Sequence, residues 1–465
     1  MSKEKGVSHS VDFTNGPIAG KMLMFALPLM FSSILQLLFN AADIIVVGKF
    51  AGDECVAAVG STTSLINLIV NLFIGLSVGA NVMVANFFGA RKLKELSETI
   101  HTAISVSFIS GILLALVGFF FAPEILKIMN TPDDVIGLAS VYVKTYFMGM
   151  PFMMLYNFSA AILRAVGDTK RPLYFLTAAG VINVLLNLVF VIVFDWNVFG
   201  VAFATIISQV VSAVLVVRCL MKEESALKLE LKKLHIYKDK LLRMLQIGVP
   251  SGIQGMMFSI SNVIIQSSIN TFDTAVVAGS AASTSVEGFA FTSINAFHQS
   301  AVSFAGQNKG AGKYNRINKI LYTAWGFAFV TAVIYALIFV VFDDQLIDLY
   351  VEGPDVIKAG VERINIIAWS YLICGFMDVT VGVIRGLGYS LMPTIVSLLG
   401  VCGIRILWVT TVFGMEQFHF VETIYYSYPI SWMITFIAHF ICYLYIRYSI
   451  NKKYEKEKSS QTIDK

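Results

Sequence analysis

The sequence predicts an all-α polytopic membrane protein with twelve transmembrane helices in two six-helix, parallel-repeat lobes. Three observations carry that expectation. The 465 residues are 57% apolar and 14% charged, whereas soluble chains run near ~45–50% apolar and ~25% charged. Apolar runs of about 20 residues, the length of one helical crossing of a bilayer, recur from end to end. The second half also repeats polar landmarks of the first at a fixed spacing. This composition excludes a cytosolic globular enzyme, a disordered or collagen-like chain and a disulfide scaffold. The five cysteines (Cys55, Cys219, Cys374, Cys402 and Cys442) are scattered and mostly within apolar segments, so they read as small core residues.

Apolar runs bounded by charged or Gly/Pro-rich breaks place the spans at 22–47, 56–84, 98–121, 138–163, 172–194, 198–220, 244–270, 275–305, 318–342, 362–384, 391–413 and 423–448. The polar stretch Met1–Asp12 precedes the first span without a small-residue cleavage site, so that span is expected to remain as an anchor. An even number of spans puts both termini on one side. That side holds 28 of the 34 Lys and Arg residues, including Lys3, Lys5 and Lys21 at the start and Lys465 at the end. Positive charge in short loops marks the cytoplasmic face, so both termini are expected there. The opposite side has Lys49, Lys127, Lys144, Lys358 and Arg363 beside an acidic cluster of Asp343, Asp344, Asp348, Glu352 and Asp355. Arg405 falls inside the eleventh span. The expected organisation is a tail at 1–20, a first lobe at 21–221, a basic linker at 222–242, a second lobe at 243–448 and a tail at 449–465. The basic linker is expected against anionic lipid headgroups, with no nucleic-acid partner.

The repeat is read from LRAVGDTKRP (Leu163–Pro172) against IRGLGYSLMP (Ile384–Pro393), which pairs Arg164 with Arg385, Gly167 with Gly388 and Pro172 with Pro393 at an offset of 221. At the same offset PDDVI (Pro132–Ile136) meets GPDVI (Gly353–Ile357), and FFGAR (Phe87–Arg91) meets NKGAG (Asn308–Gly312); Pro28 meets Pro250 at 222. Units with an even number of spans run parallel, related by an axis along the membrane normal, which is a transporter layout. Pro28 and Pro250 lie inside apolar helices, where the missing N–H and the ring produce a kink. They are candidate hinges or static kinks.

Ionisable and amide side chains inside spans are candidates for function, because burying them in lipid costs about 2.5–3.5 kcal/mol per charge even on lenient scales. In the first span Ser32, Gln36, Asn40 and Asp43 step by 4, 4 and 3, so they share one helix face. Asp43 either faces a cavity or snorkels to the outer interface. A carboxylate among amide and hydroxyl oxygens is what a hard cation needs, and the same group can exchange a proton. The fifth span offers Asn183 and Asn187 four residues apart, and the sixth offers Thr205, Gln209 and Ser212 on one face. In the second lobe the seventh span carries Ser251, Gln254, Asn262, Gln266 and Asn270, the eighth Glu287 and His298, and the tenth Asp378. Glu287 and Asp378 are either coupling groups or members of structural ion pairs with Arg164, Arg385 or Arg405. His298 reads as a packing or pore-lining residue. No GxxxxGK[ST], HExxH, CxxC or GxSxG pattern occurs, so no nucleotide, metal, cofactor or enzymatic chemistry is expected.

The segments GPIAGKMLMFALPLM, FNAADIIVVGKFAG, GANVMVANFFGARK, ILRAVGDTKRP, FAGQNKGAGKYNR and VIRGLGYSLMP resemble the multidrug and toxic compound extrusion (MATE) family, in its bacterial NorM/MepA-like branch. The likeness spans residues 16–448. It implies a V-shaped pair of lobes in a bacterial inner membrane. The implied activity is export of amphipathic organic cations and drugs from the cytoplasm in exchange for inward H⁺ or Na⁺, by rocking of the lobes. It also implies that Asp43 is the first-span acid of the family and that Asn183, Asn187 and Thr205 form its first-lobe polar cluster. The sequence departs from the family where Asn187 replaces a second aspartate, where the stretch Gly255–Asn262 has no glutamate, and where Asp378 lies nearer Arg385 than the NorM pattern has it. These departures favour H⁺ coupling through Asp43. The substrate cavity is expected to draw on Gln36, Asn40, Gln254, Asn262 and His298, and the working form to be a monomer. The competing reading is a lipid or lipid-linked oligosaccharide flippase of the wider superfamily, which would need a cationic cavity. A membrane scaffold without transport would need a signalling domain that the polar tails are too short to supply.

Overall fold

The computed structural model describes residues 10–129, 131 and 135–463. Lys3, Lys5, Lys465 and positions Pro132–Asp134 of one repeat match lie outside the described residues. All regular secondary structure described is helical. In chain order it comprises α1 (Ile18–Phe50), α2 (Asp53–Gly89), α3 (Leu93–Ile128), α4 (Ile136–Met148), α5 (Met150–Ala165), α6 (Lys170–Leu188) and α7 (Asn197–Met221). Then follow α8 (Lys238–Ile269), α9 (Thr274–Gly310), α10 (Ile317–Val341), α11 (Asp343–Asp348), α12 (Pro354–Ile367), α13 (Tyr371–Gly386), α14 (Leu391–Ser397), α15 (Ile404–Thr411) and α16 (Val421–Ile463).

Every expected span is helical, and several differ in detail. The span expected at 138–163 bends by 46° between α4 and α5, where Gly149 and Pro151 loosen the backbone ladder. Two spans contain π-helical turns: Val189–Val193 continues α6, and Leu398–Gly403 joins α14 to α15. The tenth span starts at Pro354, eight residues before its expected boundary, and α8 starts at Lys238, inside the expected linker. Pro28 and Pro250 lie within the continuous helices α1 and α8. Among the described residues nine helices are long and apolar enough to cross a membrane, or ten with the bent α4–α5 pair. Helices α8 and α9 fall short because serine, threonine, asparagine and glutamine recur along them. Two helices this polar need protein or water on more than one face.

The chain divides into two compact units, Met1–Ser259 with Gly306–Arg316, and Ile260–Ala305 with Ile317–Lys465. The first unit thus takes in the start of α8 and the end of α9. The reason is backbone contact at glycines. A Cβ on Gly75 would lie 2.1 Å from Gly252 N, one on Gly79 2.4 Å from Met244 O, and one on Gly89 2.0 Å from Gln307 O. Small residues let transmembrane helices approach this closely.

A short N-terminal strap lies across the same end of the first unit. Val11 N donates to Val166 O (2.8 Å), and Phe13 N donates to Gln307 Oε1 (2.9 Å) while Asn308 Nδ2 donates to Phe13 O (3.1 Å). Gln307 Nε2 also reaches Ala165 O (2.8 Å). Phe13 is buried and stands edge-on to Phe25, their centroids 5.2 Å apart. Lys313 Nζ donates to Thr14 O (3.0 Å), and Arg316 Nη2 to Gly16 O (2.9 Å). Gly167, at φ +92°, turns directly beneath Val11; a Cβ there would lie 2.7 Å from the Val11 side chain. Burial pushes the Asp12 carboxyl up, but hydrogen bonds from Thr14 and Asn15 outweigh it and hold the group below the usual carboxylate range, so the strap's turn is ionised at neutral pH.

Candidate ion-coupling and substrate site

In the first unit α1 packs on α6 at a point set by a missing side chain. A Cβ on Gly180 would sit 1.8 Å from the Phe39 ring, so only glycine admits that ring. One helical turn beyond Phe39 on α1 is Asp43, and two turns beyond Gly180 on α6 is Asn187. Their side chains meet: Asn187 Nδ2 donates to Asp43 Oδ1. The same Nδ2 lies 3.4 Å from Asn183 Oδ1, and Asn183 Nδ2 lies 3.4 Å from Thr205 Oγ1 on α7. Thr205 Oγ1 is held by donating to Val201 O (3.0 Å). Four residues from three spans thus form one chain, and the π-turn Val189–Val193 begins two residues after Asn187. π-turns recur at functional sites.

This chain has no cation in it. Among the described residues Asp43 makes no ion pair, and Asn187, fully buried, leaves Oδ1 without a hydrogen-bond partner. The Tyr142 and Tyr146 hydroxyls lie within electrostatic reach of the Asp43 carboxylate. Among the described residues no three His, Cys, Asp or Glu side chains converge to hold a metal ion. The donor set is one carboxylate, two amides and one hydroxyl, which suits a proton or a hard monovalent cation.

The acids of the second unit stand in different company. Glu287 Oε1 accepts from Arg363 Nε (2.9 Å) and Ser283 Oγ (3.1 Å), and Oε2 accepts from Tyr371 OH (3.3 Å) and Arg363 Nη2 (3.4 Å). Arg363 Nη1 also reaches Ser280 Oγ (3.2 Å). The partner of Glu287 is therefore Arg363, and not Arg164, Arg385 or Arg405 as the sequence alternatives had it. Because α12 begins at Pro354, Arg363 lies more than two turns inside a helix instead of at the outer edge of its span. Asp378 Oδ1 lies 3.3 Å from His298 Nδ1, which donates to the Asp378 carbonyl (2.7 Å), and Oδ2 accepts from Asn295 Nδ2 (3.3 Å).

The remaining expected residues are dispersed. Gln36 and Asn40 are exposed on α1, Asn262 is exposed on α8, and Gln254 is buried. Sequence reasoning missed Arg363, Tyr371 and Ser283 as the shell of Glu287. The available signal was that a buried acid requires a buried base, and Arg363 is the base nearest the start of the tenth span.

Comparison with known proteins agrees with this architecture. A sequence model described as MatE matches the chain twice, over residues 28–189 and 250–410. The two matches begin 222 residues apart and end 221 apart, which is the spacing of the internal repeat. The probable multidrug resistance protein YoeA of Bacillus subtilis is 26% identical over 434 residues, covering 91% of this chain and 93% of that protein. The multidrug export protein MepA of Staphylococcus aureus is 21% identical over 407 residues, covering 87% and 90%. Among solved structures, the outward-facing conformation of a multidrug resistance MATE family transporter of the MOP superfamily superposes with a TM-score of 0.88 at 21% identity, covering 97% of this chain and 100% of that one. A MOP superfamily transporter from Pyrococcus furiosus, described by the reverse polarity of its binding pocket, gives 0.90 at 19% identity, covering 96% and 100%.

Proposed function

The chain belongs to the MatE family, and from that premise we propose that it is a secondary active exporter of amphipathic organic cations, driven by inward H⁺ bound at Asp43. The observation that carries this reading is the Asp43–Asn187–Asn183–Thr205 chain, a carboxylate inside the bundle whose hydrogen-bond partners are all neutral. Such a group can take and release a proton without stranding a buried cation. Glu287 cannot, because protonating it would leave Arg363 unpaired, and breaking a buried ion pair in that way costs about 3–5 kcal/mol.

The hydrogen bonding supplies a proton-dependent change. Ionised, Asp43 accepts from Asn187 Nδ2. Protonated, it donates, and the free Asn187 Oδ1 is the acceptor at hand once the amide turns. That turn pulls on α6 next to its π-turn and on α1 above Pro28, so occupancy of one carboxylate biases two helices. A cationic substrate and a proton compete for the same negative charge, which links exit of one to entry of the other. Alternating access by rocking of two six-helix lobes, a bacterial inner-membrane location with cytoplasmic termini, and a monomer working without cofactor or nucleotide complete the proposal. The lysine and arginine distribution supports the orientation.

The test is uptake of ethidium into proteoliposomes under an imposed pH or Na⁺ gradient, comparing wild type with Asp43→Asn. Uptake driven by pH and lost in the variant supports the reading. Transport that persists in the variant moves the coupling site elsewhere, and a wild type that moves no cation favours the flippase alternative.

A further inference from the structure

Arg405, near the Glu287–Arg363 pair in the second unit, is a guanidinium with no acid of its own among the described residues. It is 4% exposed, yet it makes no ion pair among the described residues. Its Nε donates to Ser431 Oγ (3.0 Å), and its Nη2 is buried without any partner. The neighbouring acid cannot serve it, since both Glu287 oxygens are taken by Arg363, Ser283 and Tyr371. Asp378 is engaged by His298 and Asn295. What Arg405 has instead is aromatic rings: Cζ stands 4.0 Å from the Tyr428 centroid and 5.4 Å from that of Trp432. Arg363 shares the Tyr428 ring, at 5.3 Å. Two guanidiniums and one carboxylate leave this cluster with an excess positive charge.

Its position in the repeat is telling. Subtracting the repeat offset of 221 carries Arg405 to Val184. The second repeat thus places a charged side chain where the first has an apolar one. The π-turn Leu398–Gly403 ends two residues before Arg405, as the other π-turn follows Asn187. Within it Gly400 lets α16 come close, for a Cβ there would lie 2.2 Å from Thr435 Oγ1. Thr435 in turn donates to Ser431 O (2.6 Å), which fixes the residue that holds Arg405 Nε.

We propose that Arg405, backed by Tyr428 and Trp432, is a recognition site for an organic anion, a carboxylate or sulfonate carried on an aromatic body. With Nε committed to Ser431, the free edge of the guanidinium is the fork of Nη1 and Nη2, which matches two oxygens of a planar or tripodal oxyanion. Tyr428 and Trp432 form an aromatic wall beside that fork, which suits an aromatic body on the anion. The inference rests on the export reading and deepens it by adding a second substrate class.

The experiment measures binding to the purified full-length protein by calorimetry, so its outcome does not depend on transport. The probes are 1-naphthalenesulfonate and 1-naphthylmethylammonium, which share an aromatic body and differ in charge. In Arg405→Gln the ratio of sulfonate to ammonium affinity should drop at least tenfold, and Arg405→Lys, which keeps the charge and loses the fork, should give an intermediate ratio. If Arg405→Gln does not yield monodisperse protein, Arg405→Lys and Ser431→Ala carry the test, and both should lower the ratio. No sulfonate binding by wild type, or a ratio unchanged in these variants, overturns the proposal. Failure of ethidium export with a normal sulfonate result would sink the cation reading and leave this one standing.

Discussion

Asp43 and Glu287 are both carboxylates in the interior of long helices, and they differ in what stands opposite them. Asp43 faces an amide whose own oxygen is unsatisfied. Glu287 faces a guanidinium, two hydroxyls and no unused valence. The first arrangement leaves the charge state open to change, and the second locks it. Polarity inside a membrane therefore does not identify a working group; the number of compensating charges around it does.

Removing each acid should separate these roles. Asp43→Asn should reduce pH-driven uptake of ethidium to background while the purified protein keeps its thermal transition, since no ion pair is broken. Glu287→Gln should do the reverse and lower unfolding stability by about 3–5 kcal/mol, because Arg363 is left buried without a counter-charge. Unfolding monitored by intrinsic fluorescence reads this directly, and the double variant Glu287→Gln, Arg363→Met should recover a large part of the loss. Equal stability losses in Asp43→Asn and Glu287→Gln would erase the distinction between the two regions.

A positional change sharpens the comparison further. Gly180→Leu places a side chain where the Phe39 ring lies, at a cost of about 1–3 kcal/mol, and displaces α1 from α6. Transport should fall more than stability does, since Asp43 and Asn187 are the pair this contact brings together. The smallest expected effect comes from Asn187→Asp, which restores the second acid of the family pattern. It should leave folding intact and give ethidium uptake a response to an imposed Na⁺ gradient that wild type lacks, as two carboxylates make a stronger site for a hard cation.

Much of this was legible in the amino-acid order. Apolar runs bounded by charged and Gly/Pro-rich breaks placed the long helices, the more polar α8 and α9 included, while the short α11 was not foreseen. The grouping of Asp43, Asn183, Asn187 and Thr205 was implied by the resemblance and is now seen as a chain of side-chain contacts. Arg363 was legible only as the base nearest the start of the tenth span; its burial was not, since that depends on where α12 begins, and Pro354 starts that helix eight residues earlier than the apolar run suggests. The stripe of Gln36, Asn40 and Asp43 shows the limit of periodicity. The spacing is regular, yet Asp43 has a partner while Gln36 and Asn40 are exposed, because which turns of a long helix meet a neighbour is set by contacts such as Gly180 with Phe39. Arg405 was visible as a charge inside a span, but nothing in the sequence tells that its neighbours are rings.

The N-terminal strap also orders events during synthesis. Phe13 and Gln307 are 294 residues apart, so at about 5–20 residues per second the ribosome needs roughly 15–60 s between making one and the other. Through that interval Phe13 has Phe25 and the strap has Val166 to lean on, but its backbone must wait for Gln307 and Asn308. The strap is therefore translated ahead of the helices it ties and completes its docking only after α9 is made. A bulky fusion placed just ahead of residue 10 should slow maturation more than one at the C-terminal end.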